Sequence, residues 1–394
     1  MSPVRRLREV SLTDDASRRQ EVHGDVVSVE KFEALADEWD DLALRTGAAP
    51  FVRPGWIEAW WATFGRGELQ ILALRHKGDL ACVLPLRRRR GLLRSCSNVH
   101  TPVFDAVSVG LEEVQVLLTA ALDQSRGVIL EGLDSDGMLA GSARELDDQR
   151  RSRLVVLDQM LSPYVDLSVS WETFEKSLSG SRRRNVRRRR KRLAELGEVT
   201  IDVFDGSADL EPYFEEFLRL EATGWKADLG TAVSSSVETT RFYHDVMAWA
   251  AEKKLLRLSF VRVGGRGVAV ALLLDDGHRR HNLKVGFDDE YAPYYAGVLQ
   301  NFEEIRRALE DGRTFEWGGA MNGVKEWLHN AEHSIEQLGL FPRSPRGTAA
   351  GWSIGLRQAV YRWARGSAPL RRARGSIRRR LTRQLASPSD TTPG

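Results

Sequence analysis

The sequence predicts an α/β (α+β) protein made of two units, each with a mixed central sheet, and three observations carry that prediction. Short runs of apolar residues at strand spacing alternate with runs at helical spacing in both halves of the chain. With 394 residues, 42% of them hydrophobic, the chain can bury two core-sized units. A strand-like run within 280–297 leads into a glycine-containing loop that opens an amphipathic helix. A strand end feeding a helix N-terminus offers free backbone N–H groups and the positive end of the helix dipole to an anion.

Taken in order, a polar leader of residues 1–25 precedes Phe32, Leu35, Trp39 and Leu42 at helical spacing. A second apolar helix follows around Trp56, Trp60, Trp61 and Phe64. Residues 69–76 and 80–87 read as a hairpin turned at Lys77, Gly78 and Asp79, where glycine supplies a positive φ. A helix at 111–122, strands at 128–133 and 154–157 and a short strand at 164–167 complete the first unit. Ser170 can cap a helix beginning at Trp171, since its hydroxyl accepts an orphan amide there.

From residue 199 the order is strand (199–204), helix (210–221), helix (242–253) and strands at 255–263, 268–274 and 281–287, with a turn at 264–267. Val298, Phe302, Ile305 and Leu309 line one face of the next helix, and Gly312 ends it. A strand at 314–317, a short helix at 324–328 and a strand at 334–338 close the series.

Net charge conceals a division. The formal +3 arises although 182–192 holds nine cations and no acid, and 343–394 holds twelve Arg against Asp390, so the remaining body is acidic. Nine cations in eleven helical positions point in every direction, which excludes a purely buried amphipathic face. Such a helix can pair with the acidic body, or attract a phosphate-rich donor, tRNA or an anionic membrane. No aromatic residues interleave the run, so tRNA is the less favoured partner. In the tail, Trp352, Leu356, Ala359, Val360 and Trp363 share one helical face over 352–365 and Arg357, Arg362 and Arg365 the other, which suits either an anionic membrane or the protein's own body. Two cysteines, Cys82 and Cys96, make neither a disulfide scaffold nor a zinc site. With no signal peptide or membrane span recognisable, the expectation is a cytoplasmic protein, peripheral at the inner face of the membrane if the tail binds lipid.

The second-unit order, β-α-α-β-β-β-α-β-α-β, is that of the GCN5-related N-acetyltransferase (GNAT) fold. The motifs EATGWKADLG at 221–230, KVGFD at 284–288, YAPYYAG at 291–297, FEWGG at 315–319 and KEW at 325–327 resemble the CelD/BioF2-like acetyltransferases, relatives of the Fem aminoacyl transferases. The resemblance spans 51–341 and implies tandem GNAT-like domains: 26–168, 169–342 with a basic helix at 181–196, and a basic tail at 343–394. Departures from the family pattern are Gly224 before Trp225-Lys226, Phe287 after Gly286, and Tyr295-Ala296 before Gly297.

What the resemblance implies is an acyl-CoA co-substrate, acetyl-CoA or another, an amine acceptor on a small molecule, sugar or polysaccharide precursor, and no metal. The donor would meet Lys284, Gly286, Ala296, Gly297 and Val298, with glycine allowing close backbone approach. Amine acylation needs a base, for which Glu221, Asp288 and Glu316 are the carboxylate candidates, and an acid for the thiolate, for which Tyr291 and Tyr294 are candidates. Trp225, Lys226, Tyr294, Lys325 and Trp327 would line the acceptor side. The alternatives are a Fem-like aminoacyl-tRNA-dependent transferase and a non-catalytic scaffold of the same fold in polysaccharide assembly.

Overall fold

The computed structural model describes residues 20–22, 25–223, 232–321 and 323–366. The first half runs β1 (Gln20–Val22), β2 (Asp25–Glu30), α1 (Phe32–Thr46), α2 (Pro54–Phe64), β3 (Glu68–His76), β4 (Asp79–Arg89), β5 (Leu92–Ser95), β6 (Val107–Ser108), α3 (Leu111–Asp123), β7 (Val128–Asp134), α4 (Met138–Asp148) and β8 (Ser152–Val165). The second runs α5 (Trp171–Ser177), α6 (Gly180–Ala194), β9 (Val199–Phe204), α7 (Glu211–Glu221), α8 (Val237–Glu252), β10 (Leu256–Val263), β11 (Arg266–Asp275), β12 (Arg279–Phe287), α9 (Ala296–Glu310), β13 (Thr314–Glu316), β14 (Ala331–Pro342) and α10 (Pro345–Gly366).

The same arrangement occurs twice in one continuous mixed sheet. Strands β2 to β5 form an antiparallel meander whose last member pairs in parallel with β7, and β9 to β12 form another whose last member pairs in parallel with β13. Each meander holds two helices after its first strand, and one helix crosses over to the parallel partner, as right-handed βαβ connection requires. The final strand of each half then crosses to the other. β14, from the second half, lies between β7 and β8, while β8, from the first, pairs with β13 through Tyr164 and Val165.

One core runs through both halves. Trp39, Trp56 and Trp60 of α1 and α2 pack in the same buried cluster as Phe217, Phe242 and Phe260 of the second half. A second cluster, built on Val261, Leu273, Ile305 and Phe315, holds α5, α6 and α9 against the opposite face of the second sheet. α7 comes close to β12 only because residue 286 is glycine, since a Cβ there would lie 2.5 Å from the Glu221 Cα.

Several elements differ from the sequence expectations for tertiary reasons. The two short strands expected at 154–157 and 164–167 are one 14-residue strand, because β14 pairs with it along its whole length. The strand expected at 334–338 extends over 331–342 for the same reason. The helix expected from 242 begins at Val237, where Ser236 accepts the Thr239 N–H. The segment near 324–328 makes a 3-10 turn at Gly323–Glu326, and α4 was not foreseen at all, its apolar face being Leu139, Ala140, Ala143 and Leu146. The tail helix is longer than 352–365, beginning at Pro345, a residue suited to the first helical turn.

A charged latch closes the strand exchange. His333 on β14 lies 3.1 Å from Asp134 at the end of β7 and 3.2 Å from Glu316 on β13, with its ring stacked 4.0 Å from Tyr164 on β8. Burial opposes the imidazolium, but hydrogen bonds to Asp134 and Glu316 outweigh it and push the pKa up to about 9. A folded pKa above the unfolded value of about 6.5 means that this stabilisation is complete below that pH and is lost as pH rises through about 9. Chemical denaturation across that window should show stability falling in the native chain. His333→Gln should remove that slope, and an unchanged slope would show that the latch contributes nothing.

Candidate active site

The parallel strands β12 and β13 pair only at Arg279–Thr314, Arg280–Phe315 and His281–Glu316. β12 then bulges at Leu283, since Leu273 faces Asn282 while the next partner, Leu272, faces Lys284. The pairing with β13 thus ends one residue before Asn282. Asn282 itself is buried, donates through Nδ2 to Asn301 on α9 at 3.1 Å, and leaves its Oδ1 buried without a partner. An orphaned buried acceptor at a strand opening suits an amide-bearing ligand.

Beyond β12 the chain reaches Tyr295, a left-handed residue with φ 63°, and enters α9 with no side chain capping it. The first intrahelical donor is the Leu299 N–H, bonded to the Tyr295 carbonyl at 2.8 Å. The amides of Ala296, Gly297 and Val298 precede it and have no i−4 partner within the helix. A Cβ on Gly297 would lie 2.7 Å from the Phe287 ring, so the glycine lets this turn rest on the end of β12. In the first half the equivalent helix α3 opens with Glu112 and Glu113, which repel anions.

On the opposite side of β12, the Lys284 ammonium lies 5.2 Å from the Tyr243 ring, and Tyr243 OH lies 3.2 Å from His100 Nδ1. His100 comes from the first half, stacked 5.2 Å from Phe64. Burial, with the Lys284 charge, pulls its pKa down to about 4, so it is neutral at physiological pH. Burial and the nearby Glu221 push Tyr243 well above the ordinary phenol value. Two residues beyond His100, Pro102 wedges against Gly318: a Cβ there would be 3.5 Å from Pro102 and 3.6 Å from the Asn282 carbonyl. The first half therefore supplies a loop to the point where the strands part.

The expected carboxylates are all engaged. Glu221 is fully buried and its Oε2 accepts the Val233 N–H at 2.6 Å. Asp288 binds Arg266 at 2.8 Å and accepts the Glu290 N–H, and Glu316 belongs to the His333 latch. Tyr291 lies under Arg266 and Tyr294 under Arg192, both beside the entrance to α9. Lys325 donates to the Gly318 carbonyl at 2.6 Å, and burial lowers its pKa to about 8. Trp327 carries Arg182 at 5.2 Å from its ring. Trp225 and Lys226 lie outside the described residues. Both cysteines are buried, which pushes their thiols up to about 12 and leaves them unreactive.

Sequence reasoning missed His100 and Asn282. Nothing local marks His100, whose position depends on the packing of one half on the other. Asn282 could have been noticed as an amide within an otherwise apolar strand. A cavity of about 430 Å³ lies at the far end of β12 among Lys253, Arg257, Asp276 and Arg313. Most of the cations lining it are paired, Lys253 with Asp40, Arg257 with Glu304 and Arg313 with Asp275.

Residues 180–327 match the family model of the acetyltransferase (GNAT) domain. No curated protein matches the chain in sequence. Among solved structures, FemX is similar with 12% identity, a TM-score of 0.53, and coverage of 78% of this chain and 96% of its own. A conserved protein of unknown function from Bacteroides thetaiotaomicron is similar with 11% identity, a TM-score of 0.51, and coverage of 80% and 99%. The C-terminal domain of a candidate lysylphosphatidylglycerol synthetase from Agrobacterium fabrum is similar with 13% identity, a TM-score of 0.50, and coverage of 81% and 96%. These likenesses concern the fold. The strand opening and the uncapped helix described above lie inside the matched segment, so both fall in the part of this α/β chain that is similar to GNAT acetyltransferase domains.

Proposed function

We propose that the protein transfers an acyl group from an acyl-CoA thioester directly to an amine, carried by a small molecule, a sugar or a cell-envelope or polysaccharide precursor. The observation that carries this reading is the juxtaposition, along one strand, of the parting at Asn282 and the uncapped first turn at Ala296, Gly297 and Val298. The first suits the amide-bearing arm of the donor and the second its pyrophosphate. A direct mechanism agrees with two inert cysteines.

In this reading the acceptor approaches from the side of α7 and α8, beside Lys284, Tyr243 and His100. Its nitrogen attacks the thioester carbonyl, so a C–N bond forms, the C–S bond breaks and the nitrogen must lose a proton. His100 can take that proton at Nε2 in the tautomer whose Nδ1–H donates to the Tyr243 oxygen. Lys325, with its pKa near 8, can return a proton to the departing thiolate. Tyr291 and Tyr294 sit at the phosphate end, and Glu221, Asp288 and Glu316 hold structure through their existing bonds. A Fem-like aminoacyl-tRNA donor is the second reading, favoured by the cations of α6.

Peripheral membrane contact is a separate part of the proposal. Ala350 and Ile354 of α10 pack toward Phe341, whereas Trp352 is 67% exposed and Leu356 66% exposed. Among the described residues no helix is long and apolar enough to cross a membrane. An Arg-rich sequence follows this half-covered helix, a combination that fits an anionic lipid surface.

Calorimetry should detect acetyl-CoA or longer acyl-CoA binding, weakened about tenfold or more by Gly297→Asp, which adds bulk and negative charge at the phosphate turn. Equal affinity would remove the donor from this turn. His100→Gln should lower kcat by about 10²-fold while sparing acyl-CoA affinity, and full turnover would place the base elsewhere. Vesicles containing anionic lipid should sediment the native chain more than Trp352→Ser/Leu356→Ser, whereas equal sedimentation would exclude the exposed face of α10 as the anchor.

A further inference from the structure

α6 lies beside both loops that leave the parted strands. Arg192 and Arg189 lie over Tyr294 and Tyr295 of the link from β12 to α9, at 5.6 and 4.9 Å from the ring centroids. Arg182 lies over Trp327, in the link that follows β13. Ten residues of helix separate Arg182 from Arg192, about 15 Å, so the helix spans the mouth of the opening.

The nine cations of α6 differ in what they touch: Arg182 stacks on Trp327, Arg183 keeps a buried Nε without a partner, and Arg188 donates to Asn185. Arg187 and Arg190 are neutralised by Glu175 and Glu303, at 3.0 and 2.8 Å. Arg184 and Lys191 point to the exposed side of the helix, away from the buried Val186 and Leu193. Arg189 and Arg192 stack on the tyrosines at the entrance to α9. They sit three residues apart on the side facing the α9 entrance, and neither forms an ion pair among the described residues. Arg189 donates to the Pro293 carbonyl while its Nε is buried without a partner. Stacking on an aromatic ring fixes a guanidinium plane and leaves its edge donors available for a planar or tetrahedral anion. A face evolved only to dock α6 would use the carboxylates that Arg187 and Arg190 use.

The first turn of α9 has amides enough for one pyrophosphate, so two further preorganised guanidinium groups at its entrance exceed what that group requires. We propose that Arg189 and Arg192 recognise a separate phosphate monoester on the donor, the 3′-phosphate of coenzyme A, and so select CoA thioesters over donors that carry a pyrophosphate alone. This rests on the acyl-CoA reading above. The role is one of donor selection: these arginines hold the nucleotide end, remote from the carbonyl, and take no part in bond making.

The test measures dissociation constants of the full chain for CoA, 3′-dephospho-CoA and a short RNA duplex at fixed low salt. The native protein should prefer CoA over 3′-dephospho-CoA by about tenfold or more. Arg192→Gln, and more fully Arg189→Gln/Arg192→Gln, should erase that preference by weakening CoA alone. Retained 3′-dephospho-CoA affinity in these variants reports that the loop is still folded. Arg184→Gln/Lys191→Gln, with the same loss of charge on the exposed side, should keep the preference. Equal affinities in the native protein would overturn the proposal, as would an equal loss from the exposed-side pair, which would reduce the effect to a diffuse field. Failure of both nucleotides to bind would overturn the acyl-CoA reading as well. RNA binding lost in Arg189→Gln/Arg192→Gln, without a preference for the 3′-phosphate, would assign these arginines to a nucleic-acid donor instead.

Discussion

The exchange of β8 and β14 is the constraint on which the rest of the structure depends. β13 has only three residues, too few to hold its place by its partner β12 alone, and it is fixed from its other side by the end of β8, a strand of the first half. Because β13 is short and β12 continues, the two part, and the parting is the cleft. β14 returns the exchange by extending the first sheet past β7, and the imidazolium of His333 ties β7, β13 and β14 through the buried Glu316 and the partly buried Asp134. Removing either exchanged strand would leave a long row of unpaired backbone groups at the centre of the sheet, so the two halves fold as one.

The same exchange brings first-half residues to the candidate site of the second half. α2 packs on α8 so closely that a Cβ on Gly55 would enter the Trp249 ring, and this contact carries Phe64 and the loop holding His100 toward Lys284. In the first half the equivalent helix α3 opens with Glu112 and Glu113, which disfavour an anion there, yet this half supplies a neutral imidazole and a proline beside the opening. Its contribution is a wall and a side chain.

Legibility in the sequence followed the range of the interactions involved. The meanders, α7, α9 and the turn at Gly297 could be read from period and punctuation, because hydrophobic spacing and turn residues act within a dozen positions. The full length of β8 and the exchange could not, since register across a sheet depends on partners more than a hundred residues away, whereas the helix Met138–Asp148 was missed although Leu139, Ala143 and Leu146 fall at helical spacing. Among the candidate site residues, the close approach of Gly297 to the end of β12 was legible from its loop. The carboxylates were recognised as candidates without their bonds: Glu221 holds the Val233 amide and Asp288 holds Arg266, and no local pattern announces such partners. The basic run was visible as charge, but its division into paired, solvent-facing and aromatic-stacked arginines emerged only with Tyr294, Tyr295 and Trp327 in place beside it.

The central claim is that the donor lies along β12 from the parting at Asn282 to the first turn of α9. Amide hydrogen exchange of the full chain, with and without saturating acetyl-CoA, tests it most directly. Slower exchange confined to 282–287 and 296–299 is the predicted result. Unchanged exchange there, with protection instead around Lys253 and Asp276 at the far end of the strand, would contradict it.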